Sequence, residues 1–199
     1  MWEFLFQFQI HKYPVIAMGW NIFLALVPCL VAYFMIHAKK VSLFHPAFII
    51  LFLFWLLMLP NAPYLFFMTR HIVGYCGDLG AHRVCETGSW IPLFFFAYAL
   101  IGVPTFYYAL HIMTRLIVGV TWQKNEIIFP LIIIPFVSIG LMLGLYERFN
   151  SWNILNMPGN ILQAVHRYFT DMTLLKDFLI FTAILYAIYF TTDYLLNRD

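Results

Sequence analysis

Charged residues are scarce in this sequence. Lys, Arg, Asp and Glu together make up 10% of its 199 residues, whereas hydrophobic residues make up 63%. The mean hydropathy is +0.84. Soluble domains carry about 25% charged residues, so this chain cannot cover a large water-facing surface. Lipid must be the solvent for most of it, and the lipid bilayer is its first expected partner.

Several functional signatures are also missing. The formal net charge is only +2 and no run of Lys or Arg occurs, so we expect no nucleic-acid partner. The sequence contains no phosphate-binding P-loop, Gly-rich dinucleotide signature, nucleophile elbow or zincin motif. The first residues do not resemble a cleavable signal peptide, and no lipidation signal is evident. We predict no cofactor, and these absences leave open whether the protein is an enzyme.

Five apolar runs have the length that a transmembrane helix needs, about 20 residues. They cover approximately residues 14–37, 44–67, 91–118, 127–145 and 175–195. The predicted fold is therefore an all-α polytopic transmembrane bundle of about five helices, forming a single integral membrane domain over residues 1–199.

The second run is interrupted by the string Leu59-Pro60-Asn61-Ala62-Pro63-Tyr64. Two prolines three residues apart remove two backbone donors and stop a regular helix. Irregular backbone at membrane depth persists only where it is buried in protein or lines a wet cavity. We therefore predict that Asn61 and Tyr64 are binding residues. The alternative is an ordinary helix end followed by an interfacial stretch.

Two longer polar segments, 69–90 and 146–174, separate the spans. With five spans both segments lie on one side of the membrane, and they hold four of the nine acidic residues and two of the three cysteines. The Lys and Arg counts of the two sides nearly balance, so the positive-inside rule gives little guidance. We expect a cell (cytoplasmic) membrane location, with the N-terminus and the long loops outside and the C-terminus inside.

The string Tyr146-Glu147-Arg148-Phe149-Asn150-Ser151-Trp152-Asn153 places a carboxylate, a guanidinium, amides and a hydroxyl within eight residues. We expect Glu147 or a neighbouring Asp to pair with Arg148 and to orient its fork towards a phosphate or carboxylate. In the alternative interpretation this is a plain helix terminus. Asn150 or Ser151 would then cap it, Trp152 would lie at the headgroups, and Glu147–Arg148 would be a solvated pair.

These two strings, with a histidine following the first, resemble the Domain of Unknown Function 1361 family of bacterial membrane proteins. The residues that match position by position are Pro60, Asn61, Pro63, Tyr64, His71, Arg148, Asn150, Ser151 and Trp152. The chain departs from the family pattern at Phe67-Met68, where the family has Thr-Asp, and at Asn153, where it has an acidic residue. Two carboxylates are thus missing, and Asp78 or Glu147 could stand in. The resemblance supports the topology and the choice of site but implies no reaction.

The first polar segment holds His71, Cys76, His82 and Cys85. Two Cys and two His could ligate zinc, but the spacing is not that of a standard finger. The rivals are a Cys76–Cys85 disulfide, favoured by an extracytoplasmic location, and two free thiols. We predict no metal site. His71 and Glu147 are instead the candidate catalytic residues. His71 would carry the proton, because unperturbed imidazoles titrate near neutral pH. Cys29, within the first span, is expected to pack.

The third span contains Tyr108, His111 and Arg115 at helical spacings of three and four residues. Ionisable residues within membranes usually face the bundle interior and often mark function. Asp193 of the last span could supply a partner. The alternatives are a satisfied core histidine and an arginine that extends to the interface.

Three functions follow. The first is a polar pocket at the outer membrane face that acts on a lipid-linked or envelope substrate. The second is a small-solute transporter with the broken helix and His111 along its path. The third is a non-catalytic subunit or scaffold that binds other membrane proteins through the aromatic surface and through Gly140 and Gly144, whose spacing permits close helix approach.

Overall fold

A computed structural model of the protein describes residues 9–10, 13–37, 45–71, 90–121 and 126–197. Cys76 and Cys85 lie outside the described residues, so the disulfide, zinc and free-thiol alternatives stay open. The described helices are α1 Val15–His37, α2 Pro46–Met58, α3 Asn61–Phe67, α4 Trp90–Thr121, α5 Ile128–Tyr146, α6 Asn153–Asn156, α7 Pro158–Thr170 and α8 Met172–Leu196. A 3₁₀ turn, Met68–His71, follows α3. The two-residue strands β1 Gln9–Ile10 and β2 Tyr13–Pro14 pair antiparallel before α1.

The predicted membrane bundle is confirmed. Five helical segments are long and apolar enough to cross a membrane: Met18–His37, Pro46–Phe67, Pro92–Gly119, Ile128–Tyr146 and Met172–Leu196. The second combines α2 and α3, so the proline-broken span is confirmed as well. The chain is thus a multi-pass membrane protein. Its description as one domain over 1–199 stays a prediction.

The helices pack in two groups that share α3 and α4. The helix α1 packs on α2, α3 and α4, whereas α5 packs on α3, α4, α7 and α8. The core between them is aromatic, with Trp55, Phe106 and Tyr107 almost completely buried. Large side chains such as Phe34 and Ile50 face outward, as expected where lipid replaces water. Because successive spans alternate in direction, α1 begins at the membrane face where α3 and α5 end.

The break in the second span is short. Pro60 keeps helical dihedral angles, φ −59° and ψ −21°. After it the Ala62 N–H donates to the Leu59 carbonyl at 3.1 Å, three residues back rather than four. The amide of Asn61 donates to the Met58 carbonyl at 2.9 Å, which is the acceptor that Ala62 would use in a regular helix. The Asn61 side chain thereby repairs the ladder that the proline interrupts.

The helix α5 has a comparable repair. Pro135 has no N–H, so the carbonyl of Leu131, four residues earlier, lacks its helical donor. The hydroxyl of Tyr186 in α8 donates to that carbonyl at 2.7 Å. A neighbouring span therefore satisfies a backbone group that proline leaves free, as the lack of water in the bilayer requires.

Gly140 and Gly144 of α5 face the chain's own broken helix. A Cβ on Gly140 would lie 2.4 Å from Cγ of Pro60, and a Cβ on Gly144 would lie 3.5 Å from Cε2 of Tyr64. Their use as a surface for other proteins, which the spacing predicts, is therefore wrong. Both glycines let α5 approach the proline break.

The segment between α5 and α8 is not an open polar loop, because it forms α6 and the amphipathic helix α7. Ala164 and Tyr168 are buried against the bundle, whereas Leu162 and Phe169 are 73% and 48% exposed. Asp171 ends this region by accepting the N–H groups of Thr173 and Leu174, at the start of α8. Such a helix, joining two spans at one face, is suited to lie in the membrane interface.

Candidate functional site

A cavity of about 560 Å³ lies at the proline break. It is walled by α1, the α2–α3 junction, α5, the turn after α5, α6 and α7. The lining residues are Asn21, Leu24, Leu56, Leu57, Pro60, Asn61, Tyr64, Phe136, Ile139, Gly140, Leu143, Gly144, Arg148, Phe149, Asn150, Ser151, Ile154, Ile161 and Val165. The two strings singled out in the sequence thus meet in one cavity.

A hydrogen bond joins the strings directly. The Nδ2 amide of Asn61 donates to Oγ of Ser151 at 3.1 Å, across 90 residues of sequence. Both side chains are shielded only in part and line the cavity. Asn61 therefore has two roles, since the same amide group repairs the helix at Met58 and orients the turn that carries Ser151.

Arg148 sits in an unusual backbone conformation. Its φ is +56°, in the left-handed region that favours glycine, and among the described non-glycine residues it alone has a positive φ. The turn is closed by the Phe149 N–H, which donates to the Leu143 carbonyl at 3.1 Å. This reversal at the end of α5 brings the residues after Tyr146 to the cavity wall.

The expected Glu147–Arg148 pair does not form. Glu147 instead forms an ion pair with Arg167 of α7. Within the described residues, Arg148 has no carboxylate partner. Glu147 therefore fastens α7 to the end of α5, and Arg148 lines the cavity without a carboxylate partner among the described residues.

Tyr168 lies beneath this ion pair. Its ring is fully buried against Met142, and its hydroxyl has no hydrogen-bond partner among the described residues. Burial, followed by the nearby negative charge of Glu147, raises the pKa of Tyr168 above its ordinary value of 10.0. The hydroxyl is therefore neutral at physiological pH and is not suited to act as a base.

The remaining predicted residues of this turn divide between wall and surface. Asn150 lines the cavity, and its N–H donates to Oδ1 of Asn153 at 2.7 Å. An amide oxygen thus accepts this bond at a position where the family resemblance implies a carboxylate. Trp152 is 42% exposed and does not line the cavity. Phe67-Met68, the other place where the chain departs from the family resemblance, is packed in the protein. Phe67 lies edge-to-face on Phe181 with 5.0 Å between ring centroids, and Met68 is buried.

Asn21 is a cavity residue that the sequence analysis missed. It lies in α1, between one and two turns from the membrane face at which that helix begins. The available signal was a single amide in an otherwise apolar span, which needs a polar partner or cavity in lipid. His71 ends the 3₁₀ turn after α3, and its side chain lies outside the described part of the structure.

A second polar cluster lies near the opposite membrane face. The Tyr107 hydroxyl donates to Oδ1 of Asp193 at 3.0 Å, and Nδ1 of His111 lies 3.3 Å from that hydroxyl and 3.4 Å from the same carboxylate oxygen. Asn197 donates to Asp193 at 2.7 Å. Asp193, expected as a partner of His111, therefore contacts it.

The predicted face of α4 is shifted by one residue. Tyr107 rather than Tyr108 contacts His111, whereas Tyr108 is 48% exposed and Arg115 is exposed as well. None of these residues lines the cavity. From Trp90 to His111 the axis of α4 advances about 31 Å, at roughly 1.5 Å per residue. The cluster and the cavity thus occupy opposite ends of the bundle.

Comparison with known proteins identifies the family of this chain. Residues 20–190 match the model of a family described as "Protein of unknown function (DUF1361)". The chain belongs to this family. No curated protein and no solved structure shows a significant match to this DUF1361 chain. Among its described residues, no group of three or more His, Cys, Asp or Glu side chains is placed to hold a metal ion.

Proposed function

We propose that this DUF1361 protein uses the cavity to hold the anionic headgroup of a lipid-linked or envelope substrate at one face of the membrane. One observation carries the proposal. Arg148, an exposed residue with no carboxylate partner among the described residues, lines a membrane cavity together with Asn61, Asn150 and Ser151.

The chemistry of these groups favours an oxyanion. Arg presents a planar fork of donors that matches phosphate and carboxylate geometry, and it stays charged at all relevant pH values. Asn and Ser side chains add hydrogen bonds that fix orientation. The volume of about 560 Å³ also lies within the range of small-molecule sites, about 300–1,000 Å³.

In this proposal Arg148 binds the charge, while Asn61, Asn150, Ser151 and Tyr64 shape the polar end. Glu147 is a positioning residue, because it holds α7 through Arg167. His71 follows α3 by one 3₁₀ turn and remains a proposed proton carrier.

The test is lipid binding by the purified protein in nanodiscs that contain one anionic and one zwitterionic phospholipid in equal amounts. We expect the wild type to retain the anionic lipid and Arg148→Gln to lose that preference by about tenfold or more, since hydrogen bonds to charged groups contribute about 1.5–3 kcal/mol. Arg115→Gln is the matched control, because Arg115 is an exposed arginine far from the cavity. An unchanged preference in Arg148→Gln would overturn the proposal.

The transporter alternative needs His111 along the path of a solute. His111 instead contacts Asp193 at the other end of the bundle and is not a cavity residue. The scaffold alternative loses its glycine contact surface, because Gly140 and Gly144 both face the proline break. The geometry therefore supports the pocket best.

We also propose that the pocket faces the outside of a cell membrane. Labelling of intact cells with a membrane-impermeant thiol reagent tests this orientation, because Cys76 and Cys85 lie in the 69–90 segment and Cys29 lies within α1. Labelling in intact cells, directly or after reduction, places the segment outside. Labelling only after the cells are opened would place the pocket at the cytoplasmic face.

A further inference from the structure

We infer that the ligand is a lipid of the surrounding leaflet, which enters sideways between α1 and α5 and lays its hydrocarbon chain along the Phe136–Ile139 part of the wall. This inference rests on the proposed headgroup site and goes beyond it. It names the class of substrate, a membrane lipid with an anionic headgroup, and the route by which that substrate arrives.

The cavity has the depth of one leaflet. Arg148 lies just past the end of α5, at the membrane face, whereas Phe136 lies near the middle of that helix. From Phe136 to Tyr146 the helix axis advances about 15 Å, at roughly 1.5 Å per residue. The hydrocarbon core of a bilayer is about 30 Å thick, so the cavity extends from the face approximately to the midplane.

Along this depth the cavity wall changes from polar to apolar in the same order as the headgroup and the acyl chain of a lipid. The polar lining groups from the end of α3 and from the turn after α5 gather at the membrane face. Below them the wall is apolar, with Leu24 on one side and Phe136 and Ile139 on the other. A soluble anion would contact only the polar end at the membrane face, here called the upper end. It would leave the apolar part of the wall nearer the midplane, here called the lower wall, without a matching partner.

The cavity borders lipid at its lower end. Phe136 lines it and is nevertheless 55% exposed. The facing helices α1 and α5 belong to different packing groups, since α1 packs on α2, α3 and α4 while α5 packs on α3, α4, α7 and α8. At this depth the medium outside the protein is acyl chain, so a chain can pass between α1 and α5 without meeting water.

The helix α7 covers the upper end. Ile161 and Val165 line the cavity, while Leu162 on the same helix is 73% exposed. Exposed apolar side chains interleaved with exposed polar ones, as on this helix, fit the headgroup–acyl boundary. A ligand beneath α7 is thus enclosed by the bundle on one side and by the leaflet on the other.

The test fills the lower wall without altering the polar end. Ile139→Trp adds bulk from α5 and Leu24→Trp adds it from α1, whereas Ile132→Trp is the control, because Ile132 is 55% exposed on α5 and does not line the cavity. Native mass spectrometry of protein released from the mixed nanodiscs counts the retained phospholipid. We expect the wild type and Ile132→Trp to retain one anionic lipid and each cavity-filling variant to retain at least tenfold less. Thermal unfolding shows whether each cavity-filling variant is folded. If one of them is not, the lipid retained by the other cavity-filling variant tests the inference.

Glycerol 3-phosphate, as a soluble probe, separates the two proposals. If both folded cavity-filling variants retain the lipid as the wild type does, the lateral route is wrong. If the soluble probe binds to them and to the wild type, is lost in Arg148→Gln, and no lipid is retained by any variant, the headgroup site stands and the lipid inference is overturned. If Arg148→Gln changes neither ligand, the headgroup site itself is wrong.

Discussion

Replacing Gly140 by Ala tests the packing that brings the two halves of the pocket together. The added methyl would lie 2.4 Å from Cγ and 3.0 Å from Cβ of Pro60, whereas carbon atoms in favourable contact are about 3.5–4.0 Å apart. The proline ring cannot rotate away from the methyl group, because it is fused to the backbone. Either α5 or the α2–α3 junction must therefore move by about an ångström.

The cost follows from two opposing terms. Overpacking of a tight contact costs about 1–3 kcal/mol, and a rigid ring with an overlap of this size belongs at the upper end. Ala gains about 1 kcal/mol over Gly in helix propensity. We therefore expect Gly140→Ala to lower the free energy of unfolding by about 2 kcal/mol, and to weaken ligand binding, because Gly140 and Pro60 both line the cavity.

Gly144 provides the matched control on the same helix. A methyl there would lie 3.5 Å from the Tyr64 ring, at ordinary contact distance. Gly144→Ala should keep its propensity gain and be neutral or up to about 1 kcal/mol more stable than the wild type. Equilibrium unfolding in mixed micelles, followed by tryptophan fluorescence, measures both variants. Unfolding free energies within 0.5 kcal/mol of one another would refute the predicted contact with Pro60.

Three further predictions concern other contacts. Asp193→Ala should lower the unfolding free energy by about 1–3 kcal/mol, since Tyr107 and Asn197 lose their acceptor. Tyr186→Phe should cost about 1 kcal/mol, and far less in a Pro135→Ala background, where Leu131 regains its helical donor; equal costs in the two backgrounds would contradict the repair. Arg148→Gly should stabilise the fold by about 1 kcal/mol by relieving its positive φ, yet should bind anionic lipid no better than Arg148→Gln does. Unfolding and lipid-retention measurements on Arg148→Gly and Arg148→Gln check this prediction. If Arg148→Gly is no more stable than the wild type, the backbone at Arg148 is not strained.

The spans and the proline break were predictable from the sequence because they depend on local properties. The length of an apolar run decides whether a helix can cross a bilayer, and Pro60 and Pro63 act on their own backbone. The meeting of Asn61 with Ser151 is a property of helix packing, and no local rule gives the distance between residues 90 apart. The prolines of one string and the polar residues of the other brought both into consideration, and the family resemblance supported that choice without showing that they touch.

The errors have a common physical cause. Adjacent helical residues point about 100° apart, so the rotation of α4 alone decides whether Tyr107 or Tyr108 meets His111. The partner of Glu147 depends in the same way on the reversal at Arg148, which a sequence pattern does not predict for a non-glycine residue. The helix α7 was missed because its apolar side chains are interleaved with polar ones, and composition alone made the segment look polar.

Arg148 shows how the fold and the proposed function oppose each other at one position. Glycine would adopt its φ of +56° freely, and an L-residue pays about 1–2 kcal/mol there. If position 148 served only to reverse the chain at the end of α5, glycine would make the fold more stable than arginine does. Arg in this conformation gains no ion pair within the described residues to offset the strain, whereas an anion in the cavity would supply that missing partner. Strain of this kind collects at binding sites, and the strained backbone therefore points to the same site as this arginine, which has no ion pair among the described residues.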